Sequence, residues 1–416
     1  MKESNISQAY AIAKERYAAY GIDTEKVLDQ MQNFHLSMHC WQADDVAGFE
    51  SAGDLTGGIQ ATGNYPGKAR NMEELRADIL KAKSLIPGTH RLNLHEIYGD
   101  FGGKFVDRDQ VGVEHFQSWI DWAKENNTPL DFNSTSFSHP KSGNLSLSNP
   151  DKGIRDFWIE HTKRCRDIAD AMGKAQGDPC IMNIWVHDGC KDQSVNHYNY
   201  RRYLKESLDE IFTEKKEYMK DCIEGKVFGI GLESFTVGSH DFYTAYAAAN
   251  GKIPTIDTGH YHPMEIPADK VSALLNFVPE LMLHVSRPVR WDSDHVTIMD
   301  DNTQELFSEI VRAGALDRVH YGLDYFDGAM NRIGAYVIGS RSAQKCMLKA
   351  MLEPIGMISK YELEGKSFQV LAILEECKAL PWNAVYDEFC VRNGVPVGSE
   401  FIAEIEAYEK DVTSKR

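Results

Sequence analysis

No stretch of this 416-residue chain is apolar for long enough to cross a bilayer. Its beginning, MKESNISQAYAIAKERYAAYG, interleaves charged and apolar positions; it has neither the apolar centre nor the small-residue cleavage site of a secretion signal. Membrane insertion and export are therefore not expected. Cysteine is sparse and unpatterned: eight residues, none in a Cys-x-x-Cys spacing, for which the reduced thiols of a cytoplasmic protein are the simplest account. Positive charge is in short supply. Lys and Arg number 45 against 62 Asp and Glu, a net charge of −17, which excludes nonspecific association with nucleic acid or anionic membrane, both polyanions. The same excess suits a protein that gathers cations or handles neutral polyols. Low-complexity segments and Pro/Ser-rich linkers are also missing, so no domain boundary is expected before about residue 335.

What is present is an ordinary globular composition, 42% hydrophobic and 26% charged, arranged in a rhythm. Short apolar or alternating runs end in polar residues, at 35–41, 91–95, 129–133, 181–187, 253–257, 281–285 and 319–324, with a weaker one at 218–224. Between them, residues 72–82, 113–125, 154–172, 200–218, 268–277 and 303–312 carry apolar positions at helical spacing. Eight strand–helix units in series predict an α/β fold, a (β/α)₈ barrel over residues 1–335. A doubly wound sheet would read similarly. The barrel is favoured because the polar residues collect at the strands' C-terminal ends, where barrel active sites are built. Residues 336–416 read as a helical extension that packs on the barrel or on a neighbouring subunit.

Four clusters in the second half carry chemistry: Asp257 with His260; His284; Asp292 with Asp294; and Asp324, with Asp327 three residues on. Taken singly, each has an ordinary explanation, such as a turn, a helix cap or a hydrogen-bonded core histidine. Taken in order, all follow candidate strands six to eight, so a barrel would gather them at one mouth. Carboxylates so crowded repel one another unless cations neutralise them. Carboxylate with imidazole suits Mn²⁺, with Co²⁺ or Mg²⁺ as alternatives.

The runs IDTGHYHP, HVSRPVRWDSDHV, GIGLESFTVGSHDFY, HYGLDYFD and HLSMHCWQADDVAGFE resemble those of the L-rhamnose isomerase family, and the similarity extends over nearly the whole chain. The resemblance implies a (β/α)₈ barrel, commonly in a homotetramer, with two divalent ions at its mouth and a xylose-isomerase-like mechanism. It implies His260, Asp292 and Asp294 at the catalytic metal. Glu224, Asp257, His284 and Asp324 fall at the structural, substrate-anchoring metal, with Asp257 serving both ions. For the glutamate ligand there are two candidates, Glu224 and Glu233. The sugar-isomerase pattern of a lysine two residues beyond the ligand selects Glu224 and Lys226.

The expected reaction is aldose–ketose isomerisation of L-rhamnose to L-rhamnulose. A base could remove the C2 proton through an enediol, or the C2 hydrogen could cross to C1 as hydride between metal-held oxygens. With nearly all carboxylates committed to metal, the hydride route is favoured; Glu233 and Asp327 are the candidates for a missed base. Lys226 would stabilise charge at O1, His95 would open the sugar ring, and Trp185 and Phe132 would wall the pocket. The competing readings are a metal-dependent aldolase or epimerase on the same barrel and a non-catalytic sugar- or metal-binding protein.

Overall fold

The computed structural model describes residues 3–50, 63–226 and 234–416. Its centre is a closed barrel of eight parallel strands: β1 (Leu36–His39), β2 (Arg91–His95), β3 (Leu130–Asn133), β4 (Cys180–Ile184), β5 (Met219–Glu224), β6 (Ile253–Asp257), β7 (Leu281–Val285) and β8 (Val319–Leu323). Hydrogen-bonded neighbours follow chain order, and β8 closes on β1 through Leu36↔Tyr321 and Ser37↔Gly322. Each expected run overlaps one of these strands, β4 beginning one residue earlier, at Cys180. They read as apolar runs because barrel strands are covered on both faces, by packed side chains inside and by helices outside.

Two N-terminal helices, α1 (Glu3–Ala18) and α2 (Thr24–Gln32), precede β1. The helices that follow the eight strands are α3 (Met72–Lys83), α4 (Gln117–Glu125), α5 (Lys152–Gln176), α6 (His197–Ile211), α7 (His240–Asn250), α8 (Ala268–Leu275), α9 (Asp301–Arg312) and α10 (Arg332–Met351). Their starts are chemically marked. Asn71, Asp300 and Asn331 accept hydrogen bonds from the backbone N–H of Glu74, Thr303 and Gly334, filling donors that a helix's first turn leaves open. The helix expected over 200–218 stops at Ile211. Beyond it the Glu214 carbonyl accepts from Arg166, and Lys216 pairs with Asp167, tying the segment to α5.

Helix α10 crosses the boundary expected at residue 335 and occupies the eighth helical position, beside α9 and α3. The remaining helices are α11 (Ile355–Leu363), α12 (Ser367–Ala379), α13 (Trp382–Arg392) and α14 (Phe401–Asp411). Helix α13 returns to pack on α1. No residue of α11 or α12 is buried, although Leu363, Phe368 and Leu371 are large and apolar and are 86%, 76% and 60% exposed.

At the barrel's N-terminal end, buried Asp131 joins four strands. It accepts from Arg91 twice (2.9 and 2.8 Å), from Ser37 Oγ (2.6 Å) and from the Ile181 N–H (2.9 Å). Both carboxylate oxygens of Asp131 are thus paired, and Arg91 also meets Asp178. On the flank, α5 sits hard against the sheet at Gly173. A Cβ there would lie 1.7 Å from the Tyr218 carbonyl oxygen and 2.9 Å from the Cys180 nitrogen, so only glycine admits this approach. Gly173→Ala is expected to destabilise the fold by about 3 kcal/mol through overpacking, read as a lower urea midpoint at unchanged slope. A midpoint equal to that of the unaltered protein would refute so close a seating.

Candidate active site

The barrel's C-terminal end is built from strand tips. Glu224 and Asp257 are the last residues of β5 and β6, His284 is the penultimate residue of β7, and Asp324 directly follows β8. Because side chains alternate along a strand, the barrel interior receives these polar residues while their apolar neighbours face the helices. Glu224, Asp257 and His284 are buried and offer ligand atoms all within 4.8 Å of one another. Asp324 Oδ2 is 3.4 Å from His284 Nδ1, which is itself 2.9 Å from Glu224 Oε2.

On the other side, His260 Nε2 lies 3.1 Å from Asp292 Oδ2 and 3.5 Å from Asp257 Oδ2. Asp257 Oδ2 is also 3.9 Å from His284 Nδ1, so Asp257 stands between two groups of donors. Asp292 and Asp294 do not extend the strand, which ends at Val285. They sit in the following loop, held by Arg287 N–H to the His295 carbonyl (3.0 Å) and Phe326 N–H to the Asp294 carbonyl (3.3 Å).

The electrostatics of this mouth are those of too many carboxylates in too little water. Burial, reinforced by Glu224, Asp324 and Asp292, pushes the Asp257 carboxyl up to about 8 against the pull of His260. Burial and the neighbouring aspartates push Asp294 well above the carboxylate range, and burial raises Asp324 as well. Burial works against charge on His284, but Glu224, Asp324 and Asp257 hold its imidazole at about 9; His260 is likewise raised well above its usual value, Asp257 being the main charge that overcomes burial. Two carboxylates go the other way despite burial: Glu224, beside His284 and His260, falls well below the usual range, and Asp292, beside His260 and Lys226, falls to about 2. Among the described residues, Asp257 Oδ2, His260 Nδ1, His284 Nδ1 and Nε2, and Asp292 Oδ1 are buried without a well-formed hydrogen bond. Unpaired oxygen and imidazole donors converging in a negatively charged pocket fit a divalent cation.

Lys226 is buried, with Nζ 3.4 Å from Asp292 Oδ2 and 4.5 Å from the centre of the Trp185 ring. The Trp185 ring lies 6.5 Å from that of His260, and its buried Nε1 has no partner among the described residues. His95 is at the tip of β2 with Nδ1 3.2 Å from Thr135 Oγ1; burial drops it to about 3, so its ring is neutral.

Two expected residues make other contacts. Alternation turns Asp131 and Asn133 inward on β3, and Phe132 faces the helical layer, edge-on to Phe116 at 5.0 Å; it is core, not pocket wall. Asp327 uses its carboxylate to accept the Ala329 N–H (2.8 Å), while its backbone pairs with the Gln42 side chain. Glu233 lies outside the described residues.

The structure adds four residues that the sequence reading passed over. Phe137 lies 5.8 Å from both His95 and Trp185, taking the wall position expected of Phe132. Trp41, after β1, packs edge-on to His95 at 4.8 Å and donates from Nε1 to Asp324 Oδ1 at 3.0 Å. Asn183 donates to Glu224 Oε2 at 2.6 Å and accepts from Thr255 Oγ1 at 2.8 Å. For Asn183 and Thr255 the available signal was a lone polar residue inside an apolar strand.

A family model described as L-rhamnose isomerase (RhaA) matches residues 4–416. Among curated proteins, the chain is 74% identical over 416 residues to the L-rhamnose isomerase of Bacteroides thetaiotaomicron, covering 100% of both chains. It is 53% identical to that of Mannheimia succiniciproducens, covering 99% of this chain and 100% of the relative. It is 52% identical to that of Citrobacter koseri, covering 99% of each.

A cation must displace protons from this cluster. Asp257 is protonated below about 8 and His284 below about 9, whereas ligation requires carboxylate and neutral imidazole. Cation affinity is therefore expected to rise from pH 6 to pH 9, with net proton release at pH 7. Calorimetry with Mn²⁺ in buffers of different ionisation enthalpy measures that release; a buffer-independent heat would contradict the charge arrangement.

Proposed function

The chain belongs to the L-rhamnose isomerase family, and from that premise we propose that it interconverts L-rhamnose and L-rhamnulose at the barrel mouth, with the C2 hydrogen crossing to C1 as hydride. The observation that carries this reading is the convergence of Glu224, Asp257 and His284 within ligand distance, flanked by Asp324 on one side and by His260 and Asp292 on the other. Two divalent cations per subunit, Mn²⁺ first and Co²⁺ or Mg²⁺ as alternatives, would be held by these residues: Glu224, Asp257, His284 and Asp324 for one, His260, Asp292 and Asp294 for the other, with Asp257 shared. Bound there, they would supply Lewis acidity to the carbonyl and hydroxyl oxygens of the open-chain sugar.

The chain's own side chains do the rest. Lys226, an ammonium held between Asp292 and the Trp185 face, would donate a hydrogen bond to O1 as charge develops there. Neutral His95 would accept the anomeric proton during ring opening. Trp41, Phe137 and Trp185 present apolar faces that exclude water, and the unpaired Trp185 Nε1–H is a donor for a sugar hydroxyl.

An aldolase or epimerase would keep an uncommitted acid–base pair beside the substrate. Here the cluster's carboxylates lie against one another, against imidazole or against Lys226, which supports the hydride route. No helix among the described residues is long and apolar enough to cross a membrane, and the cytoplasm is the proposed compartment. The proposed assembly is a homotetramer, as the family resemblance implies, and the exposed apolar side chains of α11 and α12 are the surface proposed to be covered in it.

Ketose formation from L-rhamnose with Mn²⁺ tests the activity, and EDTA should abolish it. Failure with every divalent cation would overturn the assignment. In D₂O, the L-rhamnulose formed should carry negligible deuterium at C1; stoichiometric incorporation would establish the enediol route instead. Lys226→Met should lower kcat by ~10²-fold or more at saturating metal. Light scattering should return four times the 47.0 kDa chain mass, and Phe368→Glu with Leu371→Glu should reduce it. A monomer in the unaltered protein would refute the assembly.

A further inference from the structure

Three adjacent strands bring an amide, a carboxylate and a hydroxyl into one buried row. In the ladder, Asn183 on β4 pairs with Cys222 and Glu224 on β5 pairs with Thr255 on β6. Asn183 therefore stands two positions below Glu224, its side chain reaching up to the carboxylate. Its Nδ2 donates to Glu224 Oε2 at 2.6 Å, and its Oδ1 accepts the Thr255 hydroxyl at 2.8 Å. All three side chains are buried, Asn183 at 1% exposure and Glu224 and Thr255 at 3%.

We infer that Thr255 and Asn183 form a positioning relay that sets the carboxylate of Glu224 for cation binding; this rests on the cation site proposed above. The amide can sit in two orientations, and only one is compatible with its neighbours. Flipped, it would aim Oδ1 at a carboxylate oxygen and leave the Thr255 hydroxyl facing Nδ2. With the Thr255 proton engaged on Oδ1, the Nδ2–H points at Oε2 and forms a charge-assisted hydrogen bond. That bond occupies one lone pair of Oε2 and stops the carboxylate rotating about its last torsion. The second lone pair of Oε2 stays directed toward His284 Nδ1, 2.9 Å away, and Oε1 toward His260 Nδ1, 2.8 Å away. Glu224 is thereby locked between the two donor groups. Partners that orient a ligand in this way typically govern 10–100-fold of metal affinity.

The test is Mn²⁺ binding by calorimetry on the purified full chain at fixed pH, alongside thermal unfolding with and without Mn²⁺. Asn183→Ala should weaken binding at least 10-fold. Thr255→Val, which keeps the shape and removes the hydroxyl, should weaken it to a smaller degree, and Thr255→Ser should restore it. Because Thr255 acts only through Asn183, the double variant Asn183→Ala with Thr255→Val should bind Mn²⁺ no more weakly than Asn183→Ala alone. A purely structural role would lower the melting temperature of the cation-free Thr255→Val protein, with Thr255→Ser spared, without changing affinity in either, and that result overturns the relay. Additive losses in the double variant overturn it as well. If Asn183→Ala does not fold, the Thr255 pair decides alone. If the unaltered protein binds no cation, the underlying site reading fails, which is a different outcome from unaltered binding in the variants.

Discussion

Five carboxylates, Glu224, Asp257, Asp292, Asp294 and Asp324, share the barrel mouth with the imidazoles of His260 and His284 and the Lys226 side chain, and their mutual repulsion is the constraint on which the site depends. In a desolvated space that repulsion is far stronger than at a surface, and it adds to burial in pushing some of these carboxyls up while imidazole and ammonium neighbours hold others down. Glu224 and Asp292 take the positive neighbours and stay ionised, while Asp257, Asp294 and Asp324 are pushed toward the neutral form. The floor shows what balance looks like in the same barrel, since Asp131 meets Arg91 bidentately and has no unpaired oxygen. The contrast separates an end built for stability from an end built for chemistry.

Much of the barrel was legible because a parallel strand covered on both faces writes a short apolar run, and because polar residues punctuate its C-terminal end. The same regularity explains the misses. Phe132 and Phe137 are both aromatics near the tip of β3, and only strand parity, which depends on where β3 stops, tells that Phe132 faces Phe116 while Phe137 reaches His95. The helix expected to reach residue 218 kept its periodicity past Ile211, but tertiary contacts with Arg166 and Asp167 drew the chain away. Asn183 and Thr255 were invisible as a pair because their meeting depends on barrel register, which no single strand's sequence carries.

The loop bearing Asp292 and Asp294 illustrates another limit. Arg290 and Asp294 adopt left-handed backbone conformations, with φ of 70° and 44°, in a segment without glycine. Such positions cost on the order of 1–3 kcal/mol each and persist where the surroundings over-determine them. Here the Arg287–His295 bridge and the Ser293 hydroxyl, which accepts from Val289 N–H, close the loop on itself. The sequence shows Asp292 and Asp294 only as one cluster following a candidate strand. The observed geometry is a strained turn that projects Asp292 back to His260, seven residues beyond the end of β7.

Trp41 shows how the two halves of the site are joined. Its ring is wall, against His95, and its indole N–H is a clamp on Asp324 Oδ1, which leaves Oδ2 facing His284. The β1 tip thus fixes a carboxylate of the β8 tip across the seam where the barrel closes. Asn183 does the same for Glu224 from the opposite side, one strand before it. Both carboxylates are held by neutral donors, and that choice of chemistry follows from the constraint: an arginine in either place would fix the carboxylate more strongly but would cancel the negative potential that a cation would need. Neutral hydrogen bonds orient the carboxylates and leave the charge available.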